Sequence, residues 1–330
     1  MSFRKLVRST PLSTRIYGAI ILLLLTVLMI QARERAAPNT VPPPTLPENV
    51  TGLVITAGPD RVDLTRREDR WYVKQGEESF PADADTLERL VQELRELPRL
   101  AVVTRRGNYG NYGLADATTR NVRVEGEGGD ATTVELGHSA AAGDAVYGRV
   151  DGDAAVVRLP RTLHHRVSTD PDDYREMVVA RISENSIREI AIHSEAHGTV
   201  RVHRSPADDG VAEERDTPWE VSGALIDAVG PVQPQRFRDL FQELGTLSAT
   251  GFPSPEEGPE RRAPFVELEI TTVEGTVDRI TIEPPDQNRR FPASATTVAY
   301  PFYLAEWRVR RLLLGIESYL LPFMEDPPEM

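Results

Sequence analysis

Two stretches far apart in the chain share one frame: LVQELREL over residues 90–97 and LFQELGTL over 240–247. In the first, Leu87, Leu90, Val91, Leu94 and Leu97 recur at three- and four-residue intervals. In the second, Phe237, Leu240, Phe241, Leu244 and Leu247 do the same. That spacing lines one face of an α-helix. Asp83 or Asp85 is placed to cap the first helix, and Pro98 to stop it. The match extends outward. RWYV (70–73) precedes one helix and PWEV (218–221) the other, and VTGLVIT (50–56) parallels IREIAIH (187–193). Downstream, NVRVEG and TTVELG (121–126, 132–137) parallel FVELEIT and DRITIE (265–271, 278–283). These runs alternate apolar with other residues, as half-buried strands do. Each half therefore reads as strands, a helix, then several antiparallel strands. The expected fold is α+β, with two tandem, internally repeated antiparallel-sheet-plus-helix modules behind an N-terminal transmembrane helix.

The chain's 330 residues suffice for two domains, each with its own core. No cysteine is present, which rules out disulfides, thiolate metal sites and cysteine nucleophiles together. Charge is unevenly spread. Six basic residues against Glu34 give the first 35 residues +5, so a net charge of −13 leaves −18 for the rest. A body that acidic repels phosphate backbones, and nucleic acid is excluded as a partner.

Between Arg15 and Arg33 lies IYGAIILLLLTVLMIQA, without a charge. At about 1.5 Å per residue it reaches about 25 Å into a hydrocarbon layer of roughly 30 Å, and the flanking arginines can snorkel. The expected reading is an uncleaved single-pass anchor over 16–32, holding the protein to the lipid bilayer. A cleaved signal peptide is the competing one, with Ala32, Ala36 and Ala37 after the run. Basic residues before the span put the N-terminus in the cytoplasm of the cell and the bulk of the chain outside it, at the inner membrane. The expected organisation is a tail (1–15), the anchor (16–32), a proline-rich linker (33–49), a first module (50–169), a connector (170–186), a second module (187–324) and a tail (325–330). The linker carries five prolines between Pro38 and Pro47 and reads as a semi-rigid polyproline spacer. Near the end, YLAEWRVRRLLLGIESYLLPF (303–323) is interrupted by Glu306, Arg308, Arg310, Arg311 and Glu317, which marks an amphipathic helix rather than a second span.

The apolar N-terminal segment, RWYV followed by PADADTLERLVQELREL, NYGNYGLADATTRNVRV (108–124), and VELG leading into VYGRVDGDAAVVRLPRTL (146–163) together resemble a membrane-anchored family catalogued as domain of unknown function 4340. The resemblance runs from about Val50 to Leu313. It implies an extracytoplasmic component of bacterial transporter-like or gliding-type membrane complexes, with a permease and an ATPase as partners, and supplies no catalytic residues.

Each stretch with chemical potential has a plainer reading beside it. His138 and Ser139 in VELGHSAAAG sit after a strand, as in the serine-hydrolase elbow GxSxG, but Ala141 stands at the closing position and a strand rather than a helix follows. HSEAH places His193 and His197 four apart around Glu195, near the zinc pattern HExxH, yet inside a hairpin where helical spacing has no meaning. The adjacent His164 and His165 point apart, Asp151–Gly152–Asp153 is a hairpin signal before it is a calcium loop, and the glycine-rich stretch 126–130 lacks the lysine and helix of a phosphate loop. Tyr109, Tyr112 and Trp307 are aromatics able to stack on a glycan or peptide. No catalytic, cofactor or metal residue is assigned. The expectation is a non-enzymatic accessory or scaffold protein. The alternatives are an envelope hydrolase using Ser139 and His138, or a glycan- or peptide-binding module.

Overall fold

A computed structural model of the chain describes residues 17, 20–29, 39–115, 119–141, 143–194, 198–204, 218–223, 232–253 and 263–314. In chain order the elements are β1 (Thr40–Val41), β2 (Val50–Ala57), β3 (Asp60–Arg67), β4 (Arg70–Gln75), β5 (Glu78–Pro81), α1 (Ala84–Arg95), β6 (Leu100–Thr104), β7 (Arg120–Gly126), β8 (Ala131–Ser139), β9 (Ala145–Val150), β10 (Val156–Pro160) and α2 (Arg161–Arg166). There follow β11 (Val178–Ala180), β12 (Ile187–Ser194), β13 (Gly198–Arg204), β14 (Trp219–Ser222), α3 (Pro234–Gly245), β15 (Leu247–Ser248), β16 (Val266–Thr272), β17 (Val277–Ile282), β18 (Arg290–Ala295), β19 (Phe302–Ala305) and α4 (Glu306–Leu312).

Two expectations are corrected here. The protein is mostly antiparallel β-sheet, with 44% strand against 24% helix among the described residues, and not the α+β fold the periodic helices suggested. The reason is that period-two alternation fills nearly every stretch between turns, leaving α1 and α3 as the only described helices of 12 residues. Nor is any helix among the described residues long and apolar enough to cross a membrane. Of the expected span over 16–32, residues 20–29 are helical with exposed side chains.

Contacts divide the chain into two compact units interleaved in sequence. Unit 1 runs to Arg61 and resumes over Glu88–Thr169; unit 2 holds Val62–Leu87 and the chain from Asp170 onward.

In unit 1 the strands lie in the order β1-β6-β10-β9-β8-β7-β2. Leu53, Ile55, Val122, Val124, Val134, Leu136 and Leu159 are buried while alternate residues face outward, the pattern of a sheet with one covered face. Part of the stretch expected as a spacer supplies β1, which pairs Thr40 with Ala101 and Val41 with Leu100. Further along it, the Thr45 carbonyl accepts a bond from Thr132 Oγ1 at 2.7 Å, and the Pro47 and Glu48 carbonyls accept from Arg95 at 2.9 and 2.8 Å.

Unit 2 contains the ladder β3-β4-β5, a two-stranded sheet β11-β15 and a seven-stranded sheet β14-β13-β12-β16-β17-β18-β19. Its core joins Ile190, Ile192, Val200 and Val202 of the hairpin β12–β13 to Leu268, Ile270, Ile280 and Ile282 of β16–β17. Leu240, Phe241 and Leu244 of α3 and Val309 and Leu312 of α4 close it.

The two units share a strand order. In unit 1, β2 lies beside β7, the first strand of the run β7-β8-β9-β10; in unit 2, β12 lies beside β16, the first of β16-β17-β18-β19. Each run follows a 12-residue helix and a short strand.

Candidate functional site

The stretches singled out in the sequence have structural occupations. His138 and Ser139 end β8, and Ser139 pairs with Val146 of β9. The chain then turns back, with the Ala140 N–H donating to the Ala145 carbonyl at 2.8 Å. A strand therefore follows Ser139, not the helix a nucleophile elbow requires. Gly137 beside it is a close-approach position, where a Cβ would overlap the Tyr112 carbonyl oxygen. Asp153 serves its own hairpin turn, its Oδ1 accepting from the Ala155 N–H at 2.9 Å, and Asp151 ties that turn to β8, its Oδ1 accepting from the Thr133 N–H at 2.8 Å. Gly126 and Gly129 likewise close the β7–β8 turn.

His164 and His165 lie on α2 with ring centres 6.1 Å apart, and burial with the nearby Arg120 guanidinium holds His164 below its usual pKa. His193 stands on the outward face of the seven-stranded sheet. Its Nδ1 is 2.9 Å from Thr199 Oγ1 and its Nε2 is 3.2 Å from Glu269 Oε2. Bonds from Arg279, then from His193, keep the Glu269 carboxyl below the ordinary range. Glu195 and His197, the rest of the proposed metal pattern, lie outside the described residues. Among those described, no three or more His, Asp or Glu side chains converge on a metal position.

The aromatics also differ. Tyr112 packs edge-on against Tyr147 at 4.9 Å, Tyr109 lies under Arg149 at 4.2 Å, and Trp307 is 48% exposed.

The most unusual electrostatic environment in unit 2 falls in the stretch read as a connector. Asp170 begins it: its Oδ1 accepts from the Asp172 N–H at 3.0 Å, and Pro171 opens a short 3-10 turn through Tyr174. That turn delivers Arg175, only 3% exposed, into a cage of three rings. Its guanidinium carbon is 3.9 Å from the centre of Phe80, 3.4 Å from that of Phe252 and 5.0 Å from that of Tyr300. Phe80 and Phe252 each meet Tyr300 edge-on, at 5.4 and 5.7 Å.

Polar groups rim the cage. Arg175 Nη1 donates to Gln75 Oε1 at 3.2 Å and lies 3.8 Å from Asp172 Oδ1, while Asp172 Oδ2 accepts from the Phe252 N–H at 3.4 Å. Backbone bonds pin the same place: Asp83 N–H to the Tyr174 carbonyl at 2.8 Å, and Glu176 N–H to the Pro81 carbonyl at 2.9 Å. Burial pushes Arg175 down to about 10, so it stays charged at neutral pH, and burial raises both Asp172 and Tyr300. A charge held permanently in an aromatic cage is suited to clamping, since it neither gives nor takes a proton near neutrality.

A second buried charge in the same unit behaves alike. Glu243 on α3, 3% exposed, pairs with Arg308 and, at 3.5 Å, with Arg311, both on α4. It ties two helices that are 60 residues apart in sequence to each other.

Arg175 carries no signal of its cage in the sequence because the three rings come from β5, Phe252 and Tyr300, places with no local relation to it. The one legible signal was Asp170-Pro171, a turn opener. No curated protein and no solved structure matches the chain. The model of the family described as Domain of unknown function (DUF4340) matches residues 71–263, more than half of the chain, and does not reach the apolar segment at 16–32. The protein belongs to the Domain of unknown function (DUF4340) family.

Proposed function

We propose that this protein is a non-enzymatic accessory or scaffold component of a bacterial envelope complex of the transporter-like or gliding type. Its body stands on the extracytoplasmic side of the inner membrane, its apolar stretch at 16–32 contacts the bilayer, and its partners are a permease and an ATPase. The observation that carries this reading is the use of buried charge. Arg175 and Glu243 both join segments distant in the chain, which favours a surface of fixed shape over a reacting centre. The outward face of the seven-stranded sheet agrees with it. Glu189 pairs with Arg201 at 3.2 Å and Glu269 with Arg279, a mixed-charge face suited to polar contact with a partner.

The test is deletion of everything after residue 38 at the native locus, leaving the N-terminal segment. The complex should lose stability and its transport or motility phenotype should weaken. An unchanged assembly and phenotype would contradict the scaffold reading.

A further inference from the structure

Helix α4 presents two faces. Val309 and Leu312 enter the core, while Trp307, Arg310 and Arg311 lie three and four residues apart on the other side. From residue 39 onward, Trp307 is the one aromatic among the exposed large apolar side chains of the described residues, at 48%. The guanidinium carbons of Arg308 and Arg311 lie 4.3 and 4.9 Å from its ring centre. Beside it, Arg289 and Arg310 both reach Glu306, at 3.0 and 2.7 Å, with side chains 74% and 49% exposed. Four arginines here face two carboxylates, Glu243 and Glu306. Among the ion pairs of the described residues, arginines thus outnumber carboxylates at this patch, on a chain whose net charge is −13.

We infer that the Trp307 face is a docking site for anionic lipid headgroups, a membrane contact separate from the one placed at residues 16–32. An exposed indole flanked by arginines is the composition of a side chain resting at headgroup level. Arg308 and Arg311 are held by Glu243 and the indole, and Arg289 and Arg310 by Glu306; the second pair is the more exposed, so phosphate reaches it from solvent. Guanidinium groups pair with phosphate through two parallel bonds, which ammonium groups do not do. The strongly acidic remainder of the chain is repelled by an anionic leaflet, so a local positive patch also fixes which side approaches it.

The experiment uses the full chain reconstituted with vesicles of phosphatidylcholine, alone or mixed with phosphatidylglycerol, whose acyl chains are brominated near the headgroup. Trp71 is buried and Trp219 half-buried, so the difference between wild type and W307F isolates the Trp307 signal. The expected result is quenching of that signal in anionic vesicles, absent from neutral ones and lost at high salt. In R289Q and R310Q the occupancy should fall about fivefold per arginine. Comparable quenching in neutral vesicles would overturn the inference, as would none in either. It would equally be overturned if a polyglutamate peptide shifted Trp307 emission and anionic vesicles did not, which would assign the face to an acidic protein segment. Because the readout is local to Trp307, its failure leaves the scaffold reading standing.

Discussion

The guanidinium carbon of Arg175 sits 3.4 Å above the centre of the Phe252 ring, although the two residues are 77 positions apart in the chain. A buried cation stacked this way holds distant segments in one arrangement only while both charge and volume are present. Replacing Arg175 by Ala leaves the cage unfilled and Asp172 without its cation, and should destabilise the protein by roughly 3–5 kcal/mol. R175M restores volume without charge and should lose much less, because the desolvation of the guanidinium is removed as well. Urea unfolding of the two variants side by side checks this. Equal losses would mean that the charge, rather than the filling of the cage, dominates.

Asp172 gives the clamp a pH dependence of defined sign. Burial raises its folded pKa, against opposing pulls from Arg175 and the Phe252 N–H, so the folded state binds its proton more tightly than the unfolded chain does. Its contribution to stability is therefore present below the unfolded value of about 3.9 and is lost as pH rises through the raised folded value. D172N, always neutral, should be more stable than wild type at neutral pH, and the advantage should disappear in acid. Unfolding midpoints of both proteins across this range are the measurement. A midpoint difference that grows on acidification contradicts the assignment.

Glu243 offers an independent test of how buried charge is used. Its side chain is 2% exposed between Arg308 and Arg311, with Arg308 itself mostly covered. Removing Arg308 strands the carboxylate, so R308M should be destabilising by about 3–5 kcal/mol. E243M/R308M, which removes the carboxylate and its nearest cation together, should recover most of that loss. A double variant no more stable than R308M would show that the pair acts through packing of α3 and α4 alone.

Much of the architecture is written in residue alternation. The runs at 50–56, 121–126, 132–137 and 187–193 lie in β2, β7, β8 and β12, those at 265–271 and 278–283 lie in β16 and β17 but for Phe265 and Glu283, and the five apolar positions predicted for α1 are all buried. Asp83 caps α1, accepting from the Thr86 N–H at 3.2 Å. The fold class was misread because two well-patterned helices outweighed many short strands. The apolar run from Tyr303 predicts one helix, yet Tyr303–Ala305 belongs to β19 and the helix begins at Glu306. Short apolar runs do not declare which they are. The clamp was illegible for a different reason: a cage of Phe80, Phe252 and Tyr300 around Arg175 is a tertiary fact with no period in sequence.

Gly137 is held to glycine by contact rather than by backbone angle. A methyl group there would overlap the carbonyl oxygen of Tyr112 and crowd that of Gly113, both main-chain atoms of the 109–113 turn. G137A should therefore destabilise unit 1 by about 1–3 kcal/mol. It should also speed amide hydrogen exchange at Leu114, whose N–H donates to the Tyr109 carbonyl at 3.1 Å. Wild-type stability and exchange in G137A would show that the turn relaxes without loss.

The scaffold reading itself is tested most directly by co-purification of the tagged, full-length protein from native membranes in mild detergent, followed by mass spectrometry. A permease and an ATPase should be recovered with it in fixed ratio, and that recovery should be lost in R175A and largely restored in R175M. Recovery of the protein alone, under conditions that keep other membrane complexes intact, would contradict the scaffold reading.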